Sequence, residues 1–213
     1  QDNDIVVLNK CSGLLSVPGR LPEHQDCLQN RVKRVLPSAT VVHRLDMATS
    51  GIIIMALNKP AHVDISRQFQ ERRTQKRYIA RIYGLLKDQE GSVDLPLICD
   101  WPNRPKQKVD HENGKASLTH YKVLDRVLCD GNFFKGLPSS IVTENSTLVE
   151  LTPITGRSHQ LRVHMLALGH PILGDRLYAH EQALLNHPRL NLHAQMHTIA
   201  HPVTQEPIKF EVA

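Results

Sequence analysis

The sequence predicts an α+β fold built on a largely antiparallel mixed sheet flanked by helices. Short apolar runs rich in β-branched residues, such as Ile5-Val6-Val7-Leu8 and Ile52-Ile53-Ile54-Met55, are too brief for helices and read as strands. Neighbouring runs are mostly joined by segments too short for repeated βαβ crossovers, which leaves antiparallel pairing as the default. Few segments carry a helical apolar stripe, so strands dominate.

Residues 4–9 read as the first strand, ended by the loop around Gly13. Asp26 is placed to cap a helix with Leu28, Val32 and Val35 or Leu36 on one face, stopped by Pro37. Its other face carries Arg31, Lys33 and Arg34, read as solvated charge. After a buried strand over 52–57, Pro60 sits where a helix can begin, and Ala61, Ile65 and Phe69 form its stripe. Strands follow over 78–86 and 117–124, and the polar, Pro-rich stretch 99–114 between them reads as an extended loop carrying Arg104, Lys106 and Lys108. Residues 125–145, with Gly131, Gly136 and Pro138, read as an excursion or hairpin. A strand over 148–151 precedes a helix expected to be capped by Ser158, lined by Leu161, Met165 and Leu168 and ended at Gly169. Strands over 190–200 and 207–212 close the chain.

Composition sets the outer bounds. At 213 residues the chain can bury a core as one large domain or two intimate subdomains. A net charge of +5 and a pI near 9.1 favour a polyanionic partner without establishing one. Cys11, Cys27, Cys99 and Cys129 are scattered, with no C-x-x-C, which suits a reducing, cytoplasmic setting. No apolar run approaches the ~20 residues needed to cross a bilayer, and no signal peptide is visible. The chain begins at Gln1, close to its first strand, and reads as a fragment or trimmed chain.

The most informative stretch is Val42-His43-Arg44-Leu45-Asp46-Met47-Ala48-Thr49-Ser50-Gly51, directly before the buried apolar run. It places Asp46 in a loop held by a rigid core element, where enzymes commonly display reactive groups. Three more segments accompany it: Lys76-Arg77-Tyr78 opening a strand, Thr155-Gly156-Arg157-Ser158-His159-Gln160-Leu161-Arg162-Val163-His164, and Leu190-Asn191-Leu192-His193-Ala194. In content, order and rough spacing these resemble the RluA-type family of RNA pseudouridine synthases. Val17-Pro18-Gly19-Arg20 and the segment 98–108 look most like the RluA branch itself, which modifies large-subunit ribosomal RNA and a tRNA anticodon stem-loop.

The resemblance implies a pseudouridine synthase fold with a central catalytic cleft, formed by residues 1–213 as one catalytic domain of two intimate subdomains, with no S4 domain. It makes Asp46 the catalytic carboxylate, Arg157 its ion-pair partner and Tyr78 the residue that stacks on the target uracil. Leu192 provides an apolar wall for the base, Arg44 fills the vacated stack or holds a phosphate, and His43 and Lys76 support substrate binding, His43 chiefly by orienting its loop. The reaction breaks the C1′–N1 bond, turns the uracil and rejoins it through C5. No redox change or energy source is needed, and neither G-x-x-x-x-G-K-[ST] nor G-x-G-x-x-G occurs, so no cofactor is expected. An ordinary aspartate titrates near ~3.9 and is ionised at neutral pH, ready to act as nucleophile or base. A uridine in folded RNA must leave its stack to be reached, which implies base flipping.

Cys11 stands where relatives often have proline in an Asn-Lys-Pro-Ser-Gly loop. A noncatalytic RNA-binding or folding factor on the same scaffold is the competing reading. A metal hydrolase using His193, His197 and His201 is poor, because strand geometry sets successive members about 13 Å apart. The expected partner is RNA, with no membrane, no metal and a monomeric chain.

Overall fold

A computed structural model describes residues 1–128, 145–185 and 187–212. Along the chain run β1 (Ile5–Lys10), α1 (Leu28–Lys33), β2 (Thr40–Val41), β3 (Ser50–Ala56), α2 (Lys59–Gln70) and β4 (Gln75–Tyr83). There follow β5 (Glu90–Asp94), β6 (Leu97–Cys99), β7 (Gln107–Val109), β8 (Leu118–Val127) and β9 (Ser146–Pro153). The chain closes with α3 (Gln160–Ala167), α4 (Glu181–Leu184), β10 (Leu192–Ala200) and β11 (Pro207–Glu211). It divides into two compact units, one of Gln1–Arg77 with His193–Ala213, the other of Tyr78–Leu192.

The first unit is organised around β3, all seven of whose residues are buried. One edge is paired antiparallel by β1 from Ile5↔Ala56 to Lys10↔Gly51. β10 pairs parallel to the start of the strand (His193↔Ser50, Ala194↔Gly51), β2 pairs antiparallel to its end, and β11 extends β10. Because strand side chains alternate between faces, Ile52, Ile54 and Ala56 pack with Ala61 and Ile65 of α2. Met55 packs with Val6 and Ala39 on the other face, and Ile53 with Leu14 and Leu28. Covering on both faces explains why β3 reads as an unbroken apolar run rather than an alternating one. Each of its large side chains contributes about 1.5–3 kcal/mol through burial.

Local signals explain the helix starts. Asn58 Oδ1 accepts the Ala61 N–H at 2.9 Å, and Pro60 occupies the first turn of α2, where the sequence placed the helix start. α1 differs from expectation: its cap is Cys27, whose Sγ accepts the Asn30 N–H at 3.4 Å, while Asp26 pairs with Arg31 at 2.6 Å. Val35 is 81% exposed, so Leu36 rather than Val35 joins Val32 in the packed stripe.

The second unit is an antiparallel arrangement in which β5 pairs β8, β8 pairs β9 and β9 pairs β4. A register shift between Val123 and Asp125 lets β8 run on to Val127, into the segment read as an excursion; residues 129–144 lie outside the described residues. The stretch expected to be an extended loop contains the hairpin β6–β7, paired from Leu97↔Val109 to Cys99↔Gln107. Helix α3 is also more buried than a one-face stripe implies, with Gln160 to Met165 all inside. Its start is not capped by Ser158; His159 takes the cap position in the left-handed region, at φ 54°. Polar partners make this burial possible. Arg162, 5% exposed, grips Asp175 through two hydrogen bonds of 2.6 and 2.7 Å, and His164 Nδ1 meets Thr119 Oγ1 at 2.9 Å.

Gly51 is a position where the backbone demands glycine. Its φ is +114°, and a Cβ there would lie 2.3 Å from the Ala194 carbonyl oxygen and 2.6 Å from its nitrogen. Gly51→Ala is therefore expected to lower stability by roughly 3 kcal/mol or more, combining strain with loss of the β3–β10 approach. Chemical denaturation of the variant beside wild type measures it; a loss below ~1 kcal/mol would contradict this account.

Candidate active site

Asp46 lies at a turn closed by the Thr49 N–H donating to the Asp46 carbonyl at 3.1 Å, and its side chain is half-buried. The backbone around it is tied to residues 10–16. Ser16 Oγ donates to the Leu45 carbonyl at 2.7 Å and accepts the Leu45 N–H at 3.2 Å. The Gly13 N–H donates to the Met47 carbonyl at 2.9 Å, and Ser12 Oγ donates to the Ala48 carbonyl at 2.6 Å. Lys10, only 1% exposed, completes the anchor: its Nζ donates to the carbonyls of Leu14 (2.7 Å), Cys11 (3.0 Å) and Met47 (3.1 Å). An ammonium has three donors, and all are used. Burial pushes this amine down to about 8, with the nearby Cys11 and Asp46 working in the opposite direction. Lys10 is the residue that sequence reasoning missed. A lysine ending an apolar strand looks like ordinary surface charge, and only the fold of 11–16 around its tip shows otherwise.

His43 is half-buried against the same core. Its Nε2 accepts the Ile54 N–H at 2.9 Å, between the part of β3 paired by β10 and the part paired by β2. The ring thus satisfies a backbone donor of a fully buried strand. It stacks on Phe69 (4.5 Å between centroids) and on His197 (4.9 Å). Burial holds the His43 imidazole well below its ordinary range, reinforced by His197 and Lys76, and the accepting Nε2 requires the neutral ring. His197 is likewise pushed down to about 3 by burial and Lys76. Lys76 is half-buried and lowered, first by burial and then by Arg72. Arg44, in contrast, is exposed one residue beyond His43. The first unit therefore brings Asp46, His43 and Arg44 onto one anchored loop, with Lys76 against the histidines that back it.

In the second unit, Tyr78 pairs with Leu151 across β4–β9 and is half-buried, and Leu192 is 3% exposed. Arg157 is exposed on a loop stitched by buried polar groups. Gln160 Oε1 accepts from the Arg157 N–H at 3.0 Å and from Thr155 Oγ1 at 2.7 Å, while its Nε2 donates to the Leu118 carbonyl at 3.0 Å. The Leu118 N–H donates to Thr155 Oγ1 at 3.0 Å, and Arg157 Nε donates to the Ala116 carbonyl at 3.2 Å. Thr155 and Gln160 thus shape the turn that displays Arg157.

A possible three-ligand metal group among the described residues is Asp2, Asp4 and His201. His201 Nδ1 accepts the Val203 and Thr204 N–H groups at 3.3 and 3.2 Å, so the ring proton sits on Nε2, facing Asp2 at 3.2 Å. A ring used this way offers no lone pair to an ion. His193 and His197 fall on strand β10, as the alternation implied.

Residues 4–167 match the family model described as RNA pseudouridylate synthase. The chain belongs to the RNA pseudouridylate synthase family. It is 55% identical over 212 residues to the Dual-specificity RNA pseudouridine synthase RluA of Salmonella typhimurium, covering 100% of this chain and 90% of the relative. The protein of the same description from Yersinia pestis is 54% identical, over 99% of this chain and 95% of its own length. Among solved structures, Human RNA Pseudouridylate Synthase Domain Containing 1 matches with a TM-score of 0.80 at 30% identity, covering 100% of this chain and 81% of that one.

Two expectations follow. Lys10 is protonated in folded and unfolded chain below about pH 8, whereas between about 8 and 10.5 only the unfolded chain keeps the proton. The unfolded state then binds more protons, so stability should rise with pH across that window by up to roughly 3 kcal/mol. The rise should be missing in Lys10→Met when unfolding is followed by denaturant titration at pH 7, 8, 9 and 10. His43→Ala should leave the Ile54 N–H without its acceptor and lower stability by about 1–3 kcal/mol; an unchanged unfolding midpoint would refute the capping role.

Proposed function

We propose that this isomerase converts specific uridines to pseudouridine in large-subunit ribosomal RNA and in a tRNA anticodon stem-loop. Asp46 is the catalytic carboxylate. The observation that carries this reading is its loop: the backbone at 45, 47 and 48 is tied to residues 10–16, while the carboxylate itself stays half-exposed. A reactive group held this way loses little freedom on reaching the transition state.

On this reading a loop uridine swings out of its stack, an excursion of a few kcal/mol that is smallest in unpaired RNA. Tyr78 stacks on the uracil, Leu192 gives it an apolar wall and Arg157 pairs with the Asp46 carboxylate, each role following from the family motif that the residue matches. Arg44, exposed beside Asp46, occupies the vacated position or holds the flanking phosphate, and His43 and Lys76 keep that loop in register. The carboxylate assists scission of C1′–N1, the uracil turns, and C1′ bonds to C5. The C5 hydrogen is then lost to solvent and N1 regains a proton, so the overall composition of the nucleotide is unchanged. Residues 1–213 serve as one catalytic domain, acting as a monomer in the cytoplasm.

Release of tritium from C5-tritiated uridine in ribosomal RNA and tRNA transcripts tests the proposal directly. Wild type should release it and Asp46→Asn should fall by at least ~10⁴-fold while retaining RNA binding, since removal of a nucleophile eliminates the chemical step. Turnover surviving in Asp46→Asn would sink this mechanism.

A further inference from the structure

The tip between β6 and β7 carries the protein's single tryptophan, and that tryptophan is not in the core. Trp101 is 65% exposed, in a short 3₁₀ turn Trp101–Asn103. The Arg104 guanidinium lies 4.5 Å from its ring centroid, and Arg104 is in none of the ion pairs among the described residues. The indole stands in water beside a guanidinium that takes no part in those ion pairs, so the tip presents an aromatic face and a positive charge together. Lys108 of β7 and Lys115, whose backbone pairs with Leu97, are exposed on the same hairpin.

The tip is also built to hold its shape. The Asp100 N–H donates to the Lys106 carbonyl at 2.9 Å, the Lys106 N–H to the Asn103 carbonyl at 3.0 Å, and Asn103 Nδ2 to Asp100 Oδ2 at 2.9 Å. At its base, the Gln107 N–H donates to Tyr178 Oη at 2.8 Å, and the same Tyr178 Oη lies 2.7 Å from His159 Nδ1. Since Oη already accepts from Gln107, its own proton is available for His159. His159 is two residues past Arg157, so one phenol joins the hairpin to the turn that displays Arg157.

We propose that Trp101 and Arg104 form a stacking platform for an unpaired base of the RNA substrate, a nucleotide other than the uridine being isomerised, with Arg104 engaging the adjacent phosphate. A π-face stacks on any base, and a guanidinium beside it reads the backbone charge; RNA is recognised mainly through such unstacked bases. A protein partner would more often meet an apolar patch, whereas this hairpin exposes Arg104, Lys108 and Lys115 against one exposed acidic residue, Glu112. The platform rests on the RNA-modifying function proposed above and extends it to a second contact. Tyr178 is a positioning residue for it.

Because Trp101 is the single tryptophan, its intrinsic fluorescence reports on the platform alone. Titration with an anticodon stem-loop RNA should quench it, and a fully paired duplex of equal length at equal salt should not. Trp101→Ala should raise KM for the stem-loop by roughly 5- to 100-fold with kcat nearly unchanged, and Trp101→Phe should restore most of the loss. Its exposure means the unfolding midpoint should stay put. If wild type isomerises the RNA yet its fluorescence is unmoved and Trp101→Ala keeps a wild-type KM, the platform is overturned and the isomerase reading stands. Equal quenching by the duplex also overturns it, as does a response to protein but not to RNA. Quenching by the stem-loop without any turnover strikes the proposed activity and leaves the platform standing.

Discussion

The loop that carries Asp46 hangs on strand β3, and β3 is fixed by a backbone approach that leaves no room for a side chain. At Gly51 the strand meets β10 so closely that even a methyl group would overlap Ala194. This parallel pairing covers the start of β3, antiparallel β2 covers its end, and β1 runs along the other edge. Isoleucine and methionine side chains fill both faces. A strand surrounded in this way can shift neither along its length nor by rotation, because a one-residue slip would exchange its two faces. The chain segment leaving its N-terminus inherits that rigidity.

Around this strand, polar groups are used where apolar packing has no means of fixing a loop. Lys10 emerges from the end of β1 and gathers three carbonyls from two loops, one of them the loop bearing Asp46. Burying an ammonium is costly, and the depressed basicity of Lys10 shows that cost; its complete set of acceptors is what makes the arrangement tolerable. His43 does comparable work with a neutral ring, closing the gap in the ladder at Ile54. Charge and hydrogen bonding thus hold the Asp46 loop from one side and the core strand holds it from the other.

The second unit solves the same problem differently. Its arginine turn is shaped by Gln160 and Thr155, both buried and both saturated by neighbours. The helix that follows is anchored by Arg162 and Asp175, whose two hydrogen bonds grip the planar guanidinium side-on. The Arg162 guanidinium also lies 5.1 Å from the centroid of the Tyr178 ring, so the anchor of the helix and the strut of the hairpin share one phenol. Rigid polar networks of this kind are demanding to satisfy, yet they specify one geometry where apolar contacts alone tolerate several.

Much of this was legible from residue order. The apolar run at 52–55, the proline opening α2, and the strand alternation after Leu192 are local patterns governed by periodicity and backbone preference, so α+β architecture and the motif-bearing loops could be read directly. Asp46 and Arg157 stand out in the sequence for the same reason: each sits in a distinctive short motif. What the sequence could not determine is which polar side chains turn inward. Lys10, Gln160 and Arg162 have the composition of surface residues, and their roles arise from acceptors brought in from elsewhere in the chain. Likewise Cys27 displaced Asp26 as a helix cap because Arg31 claimed the carboxylate, and the stretch read as loop became the β6–β7 hairpin because its pairing joins residues that are not close neighbours in sequence, such as Leu97 and Val109. Local propensity is encoded in neighbours along the chain; burial, ion pairing and the exposure of Trp101 depend on distant segments meeting, and only the tertiary structure decides them.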